Sequence, residues 1–373
     1  MMKNFRQKFL FSISLILLIG LLVACGDSSS EEASVDDEAN NNATDGELVV
    51  EIVAKGFQHD FWRAVKAGAE EAADDLGAKI NFVGPKDESA IAEQVEMLNN
   101  AIQKGPDAIA LAALDTDALI DLINQATNEG IPIVGFDSGV PDAPEGSIVA
   151  NAATDNYAAG ALAAEYLYTE IEDKVSSDEV KRIGVVAQEV NSLSITERTM
   201  GFIDTLEDLL ESHEDIGEGN VAVIGHSKLQ NDVDEKDGKV IIEARVPAEL
   251  NDAAGQTEAQ TLLNKEDLIA IYGSNEFAAK AIINADDALS GSVIGHDKVL
   301  AVGFDSGKMQ IDAIKNERFF GSITQDPVSI GYESVRLAID AANGEEVADV
   351  DTGAKWYDSS NVDDDDIQQL LYE

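Results

Sequence analysis

Residues 134–139 and residues 302–307 both read VGFDSG. Each copy closes an apolar run, residues 131–136 in the first case and 299–304 in the second, and each then breaks into an Asp-Ser-Gly turn. A short apolar run bounded by turn residues reads as a buried strand of a parallel sheet. Ligands of open α/β sheets bind beyond the carboxyl ends of the strands. Asp137 and Asp305 therefore stand where two carboxylates would take hydrogen bonds from a polar ligand. Asp-Ser-Gly is also ordinary turn chemistry, the Asp accepting from backbone just ahead of it. Either copy alone reads equally well as a bend; the duplication, together with the family resemblance given below, favours a site.

The spacings that catalysis needs are missing. Ser138 and Ser306 stand fourth in GFDSG, where a nucleophile turn of the G-x-S-x-G type needs the serine third. Residues 303–308 begin like a phosphate loop, but its glycines are one residue too close and Met309 follows the lysine in place of Ser or Thr. His59, His213, His226 and His296 have no metal-ligand spacing. Asp232-Val-Asp234 meets its glycine, Gly238, one place too late for a calcium loop. Two carboxylates also suit a glycosidase, whose defining separation is not in the sequence. Binding without catalysis is the expectation, with no cofactor and no metal.

Charge narrows the partners. The 373 residues carry 72 acidic and 25 basic side chains, a net charge of −47. Nucleic-acid binding rests on cations that displace counterions from phosphates, so DNA and RNA are excluded as partners. Such a surface keeps a protein solvated and monomeric. The single cysteine rules out an intrachain disulfide, and its place is informative. Three cations precede residue 9, residues 9–24 are almost unbroken in apolarity, and Leu22-Val-Ala-Cys25-Gly closes the run. This is the layout of a secretory leader, shorter than the roughly 20 residues of a spanning helix. Its end resembles the bacterial lipoprotein box, which implies a signal peptide over 1–24, a lipid anchor on Cys25 and work on the outer face of the cytoplasmic membrane. Residues 25–47 have scarcely an apolar side chain and read as a disordered acidic tether.

From residue 48 strands and helices alternate with no hairpin signal, as a doubly wound parallel sheet requires. Strands are expected at 48–54, 79–83, 108–113 and 131–136, with helices at 61–76 (capped by Asp60), 89–104 and 117–129. An Ala-rich helix at 156–168 leads into a second round. Its strands are expected at 182–187, 221–225, 268–272 and 299–304, and its helices at 194–210, 255–264 and 276–285. Asp107-Ala-Ile-Ala-Leu before the first VGFDSG is matched by Asp267-Leu-Ile-Ala-Ile before the second, so one unit is used twice. A charged insertion at 228–239 reads as a surface hairpin, a helix follows at 328–343, a short strand at 354–357, and residues 358–366 read as loose.

The ordered motifs together resemble the type I periplasmic binding proteins, specifically the ribose and galactose group of solute-binding subunits of ABC importers. The resemblance spans about residues 48–357. It rests on His59-Asp-Phe-Trp62 running into Arg63-Ala-Val-Lys-Ala-Gly68, Gly130-Ile-Pro-Ile-Val-Gly-Phe-Asp137, Thr154-Asp-Asn156, Glu197-Arg-Thr-Met-Gly-Phe202, Gly273-Ser-Asn-Glu276, Val302-Gly-Phe-Asp305 and Thr324-Gln-Asp-Pro327. It implies two similar α/β lobes, each a parallel sheet flanked by helices, joined by three hinge crossovers near Thr154, Gln325 and Gly353. The first lobe would take residues 48–154 and 326–352, the second 155–325 and 353–360, with an acidic tail over 361–373. A sugar or similar polyol would lie between the lobes and pass to an ABC permease.

Carried over by position, the resemblance implies a pocket of His59, Phe61, Trp62 and Asp137 from the first lobe, Thr196 or Arg198, Asn275 and Asp305 from the second, and Gln325 at a hinge. Carboxylates accept from sugar hydroxyls, amides donate and accept, and aromatic rings cover the apolar face. Ser138 stands where ribose binders have an arginine, and Leu250 where they have an aromatic, which weighs against ribose itself. Bland readings stay open for several positions. Either Phe61 or Trp62 could face the lobe core, Asn275 could simply cap the helix after it, Arg198 could pair with an acid on its own helix, and only the resemblance singles out His59. Rival functions are a same-fold receptor for a nucleoside or furanone, and a sensory receptor feeding a chemoreceptor or kinase. A sugar-responsive transcription regulator would need a basic helix-turn-helix before Leu48, where this chain has a leader and an acidic tether.

Overall fold

The computed structural model describes residues 47–372 except 58, 177 and 178; the expected leader, Cys25 and nearly all of the expected tether lie outside the described residues. The chain first lays down β1 (Val49–Val53), α1 (Asp60–Leu76), β2 (Lys79–Val83), α2 (Ile91–Gln103), β3 (Ala108–Leu111), α3 (Ile120–Glu129), β4 (Ile133–Phe136) and β5 (Ile148–Ala153). It then builds α4 (Asn156–Val175), β6 (Lys181–Val186), α5 (Leu193–Ser212), β7 (Val221–Ile224), β8 (Val240–Arg245), α6 (Asp252–Leu263), β9 (Leu268–Gly273), α7 (Glu276–Ala288), β10 (Leu300–Phe304), α8 (Lys308–Lys315) and β11 (Gly321–Gln325). Four elements close the chain: α9 (Pro327–Ala342), β12 (Val350–Asp351), β13 (Ala354–Asp358) and α10 (Asp365–Gln368).

Two sheets result. The first has the order β12-β5-β4-β3-β1-β2 and is parallel throughout. The second runs β13-β11-β10-β9-β6-β8-β7, parallel except for the antiparallel edge strand β13. Helices cover both faces of each, so β3, β4 and β10 are buried at every position, as strands between two layers must be. The chain passes between the sheets three times, from β5 to α4, from β11 to α9 and from β12 to β13. Thr154 donates to the Gly353 carbonyl at 3.2 Å, tying the first and third passages together.

Helix pairs of matching design brace the lobes. α1 crosses α9 where a side chain at Gly68 or Gly331 would stand 1.9 Å from the other helix's backbone. α4 crosses α5 at Gly160 and Gly201 in the same way, at 2.2 and 2.1 Å.

Several expectations need correction. β5, β8, β11, β12 and α8 have no counterpart in the sequence reading; β5 runs unbroken through the polar Asn151, which interrupts its apolar pattern in the sequence. The hairpin expected at 228–239 is a turn-rich crossover with no strand, because β7 and β8 are parallel neighbours. Asn231 holds it by accepting from Val223 N and donating to Val221 O. Helix α1 begins at Asp60, with His59 at the cap position. Residues 358–366 are not loose, and the chain beyond them packs too: Val362, Ile367 and Tyr372 are buried while Asp363 to Asp366 stay in solvent.

Candidate functional site

Both VGFDSG strands end as their spacing suggests. Asp137 closes β4 and Asp305 closes β10, each in left-handed backbone, with φ of 56° and 75°. Aspartate tolerates that region better than most residues, and strain of this kind collects at functional sites. The two carboxylates meet across Arg198 of α5, whose guanidinium nitrogens lie 4.0 Å from Asp137 Oδ1 and 3.5 Å from Asp305 Oδ2. Arg198 is itself fixed, donating from Nε to Asn156 Oδ1 at 2.7 Å and from NH2 to Gln325 Oε1 at 3.0 Å, with its plane 4.2 Å from the Phe304 ring. It makes no pair on its own helix.

Around this triad lies a cavity of ≈ 30 Å³ between the sheets, room for little more than a water molecule and far below the roughly 300–1,000 Å³ typical of small-molecule sites, so the cleft is nearly shut as it stands. Its wall comprises Lys55, His59, Phe61, Trp62, Glu88, Asp137, Ser194, Ile195, Arg198, Asn275, Glu276, Asp305 and Gln325. The structure thus brings together every residue anticipated from sequence except Thr196. That side chain donates its hydroxyl to the Ser192 carbonyl one helical turn back, and Ile195 and Arg198 take the wall positions on α5. Phe61 and Trp62 both face the cavity, their rings edge to face at 5.1 Å. Asn275 both caps α7, accepting from Ala278 N, and donates to Gln188 Oε1 at 2.6 Å. Leu250 borders the outer cleft rather than this cavity.

Lys55, Glu88, Ser194, Ile195 and Glu276 escaped the sequence reading. Their signal was position: Lys55 follows β1, Glu88 follows β2 and Glu276 follows β9, each beyond a strand's carboxyl end. Lys55 is the most consequential. It is 3 % exposed, donates to Ser192 Oγ and Ser194 Oγ at 3.3 Å, and stands 3.6 Å from Asp137 Oδ2. It brings to Asp137 the cation that Ser138 does not supply; Ser138 Oγ instead accepts from Ser194 N at 3.3 Å.

Glu88 accepts from Trp62 Nε1 at 2.9 Å and from Gln188 Nε2 at 2.8 Å, so one carboxylate joins α1 of the first lobe to the end of β6 in the second. Burial would raise its pKa, but Lys55, His59 and the two hydrogen bonds outweigh burial and hold it below the ordinary glutamate range. The His59 imidazole is moved upward: burial opposes its charge, while Glu276, with Oε2 3.5 Å from Nδ1, and the more distant Glu88 and Asp305 favour it more strongly. Burial pushes the Asp137 carboxyl up, against the pull of Lys55 and Arg198. Its Oδ2 is buried and accepts no hydrogen bond. Asp305 is better satisfied, Oδ1 accepting from Gln325 Nε2 at 2.6 Å and Oδ2 from Glu276 N at 3.0 Å.

Residues 50–346 match the family model of the periplasmic binding protein domain. The chain belongs to this family. A Brachyspira murdochii protein of solved structure, described as an ABC transporter and LacI family transcriptional regulator, is 36 % identical with a TM-score of 0.75, covering 88 % of this chain and 99 % of that one. A carbohydrate transporter solute-binding protein from Agrobacterium radiobacter, solved in complex with D-arabinose, is 25 % identical with a TM-score of 0.71 over 88 % of this chain and 100 % of its own. The ribose import binding protein of Bacillus subtilis is 24 % identical over 90 % of this chain and 94 % of its own. As in other periplasmic binding proteins of this type, two α/β lobes flank the cavity. Among the described residues no group of His, Cys, Asp and Glu could hold a metal ion, and no helix is long and apolar enough to cross a membrane.

Proposed function

We propose that this protein captures a neutral, polyhydroxylated small molecule of monosaccharide size between its lobes, outside the cytoplasmic membrane, and presents it to an ABC importer. The observation that carries this reading is Asp137 Oδ2, a carboxylate oxygen buried in the cleft wall that accepts no hydrogen bond, with the Lys55 ammonium 3.6 Å away. An unmet acceptor of this kind costs about 1–3 kcal/mol or more for a charged group, and a ligand hydroxyl repays it. Around it Lys55, Arg198 and the Asn275 amide offer donors, Asp305 offers acceptors, and Phe61 with Trp62 offers the apolar face that a sugar ring presents. Cations and carboxylates are interleaved, which suits a neutral polyol better than a sugar phosphate or a cation.

The family relation supports the same assignment, since relatives named for ribose import and solved with D-arabinose cover nearly the whole chain. The regulator half of one relative's description finds no support before Leu48, where the sequence has an apolar leader and an acidic stretch in place of a basic helix-turn-helix. Cys25 is the proposed lipid anchor, and the heavily acidic protein works as a monomer. The reading is of a binder and not an enzyme, in keeping with relatives named as import binding proteins. The test is calorimetric titration with a panel of aldopentoses, aldohexoses, ketohexoses, nucleosides and sugar phosphates. A neutral sugar should bind at micromolar or lower Kd; binding of a nucleoside or phosphate alone would overturn the reading.

A further inference from the structure

After β13 the chain runs along the second lobe, through the short helix α10, and then crosses to the first. Val362, Ile367 and Leu371 pack with Ile311, Ile314 and Phe319 of the second lobe. Thr324, one residue before Gln325, donates its hydroxyl to the Leu370 carbonyl at 3.1 Å. Two residues later Tyr372 lies within the first lobe's core cluster, its ring 5.8 Å from Phe61 and tilted 70° to it. Its phenol oxygen accepts from Ser306 N at 3.3 Å, the amide next to Asp305. One side chain, 7 % exposed, thus touches the aromatic wall of one lobe and the aspartate turn of the other from behind the cavity. None of this segment falls within the matched family region, which ends at residue 346.

We propose that Tyr372 is a positioning residue for ligand capture, and that the chain's last residues form a strap holding Phe61 and the Asp305 turn in the closed arrangement. The phenol cannot reach the ligand, because Phe61 stands between them as the cavity wall. It acts by giving Phe61 a rigid backing and by making a contact that exists only when the lobes are together. Contacts specific to the closed state shift the population toward it and slow ligand release. This inference rests on the capture function proposed above, and its test separates the two.

Wild type, Tyr372→Ala and Tyr372→Phe are compared by stopped-flow and calorimetric binding of the tightest sugar in the panel, by melting temperature, and by small-angle scattering with and without sugar. An aromatic edge-to-face contact corresponds to roughly three- to tenfold in an equilibrium constant. Tyr372→Ala should weaken binding by about that factor, mostly through faster release, and Tyr372→Phe, which keeps the ring, should recover most of it. A purely structural role would lower the melting temperature of Tyr372→Ala while the folded variant bound with unchanged affinity and release rate, and that result overturns the proposal. If no panel sugar binds wild type, the capture reading fails and the strap is judged by scattering alone. Tyr372→Ala must then populate a more extended form than wild type, and superimposable curves refute it.

Discussion

Asp137 is held in a state that favours function over stability. Burial raises its carboxyl pKa, and Oδ2 accepts no hydrogen bond, so the ionised side chain destabilises the empty protein at neutral pH. A folded value above the unfolded one contributes stability only at acid pH, and that contribution is gone once pH exceeds the folded value. Asp137→Asn should therefore raise the melting temperature of the sugar-free protein while weakening sugar binding about tenfold or more, in line with a lost charge-assisted hydrogen bond. Calorimetry and thermal melting on one preparation check both halves. His59 works with the opposite charge. Its folded pKa lies above the unfolded value of about 6.5, so its pairing with Glu276 stabilises fully below that pH and is lost as pH rises through the folded value. His59→Gln should flatten the decline in melting temperature on the alkaline side of about pH 6.5, and an unchanged pH profile would show that the pair contributes nothing.

At the level of elements, the site depends on how closely the helices approach each other. α5 carries Arg198, and α5 is seated on α4 through Gly160 and Gly201, where an added methyl group would collide with backbone. Gly201→Ala has to push the helices apart, at a cost of about 1–3 kcal/mol for overpacking. It should also shift Arg198 away from Asn156 and Gln325, so sugar affinity falls along with the melting temperature. Gly68→Ala makes the equivalent collision between α1 and α9 but leaves Arg198 in place, and it should lower stability with a smaller loss of affinity. Equal affinity losses in the two variants would disconnect the α4–α5 seat from the site. The paired glycines also show the duplication carried past the VGFDSG strands into the way the lobes brace themselves.

At the scale of the molecule the lobes are brought together. Lys55 bonds Ser192 and Ser194, Glu88 bonds Gln188, and Thr116 N donates to the Asn191 carbonyl at 3.2 Å, each link running from one lobe to the other. Opening about the passages at 154–155, 326 and 352–353 would have to break each of these bonds. Glu88→Gln keeps the size of the side chain but removes the charge that Lys55 and His59 favour, and it should lower the melting temperature at neutral pH and reduce sugar affinity about tenfold or more, since charged hydrogen bonds are worth about 1.5–3 kcal/mol. Scattering on the sugar-free variant should report a larger radius of gyration than wild type. Identical radii and affinities would mean that Glu88 plays no part in closing the cleft.

The sequence alone determined the alternating α/β architecture, the duplication and the two aspartates, because apolar runs, turn residues and an exact repeat are properties of neighbours along the chain. It also supplied the acidic character and the expectation of a leader over residues 1–24, which need no fold to be read. Lys55, Glu88 and Ser194 were beyond it. They come from the loops after β1 and β2 and from the start of α5, far apart in sequence, and acquire meaning only where the carboxyl ends of two sheets face one another. Between Thr196 and Arg198 the sequence leaves the choice open, because two steps along a helix turn a side chain by about 200° and only packing sets which face looks into the cleft. The same holds for Tyr372, an ordinary aromatic in an acidic tail until the tertiary structure puts its ring against Phe61.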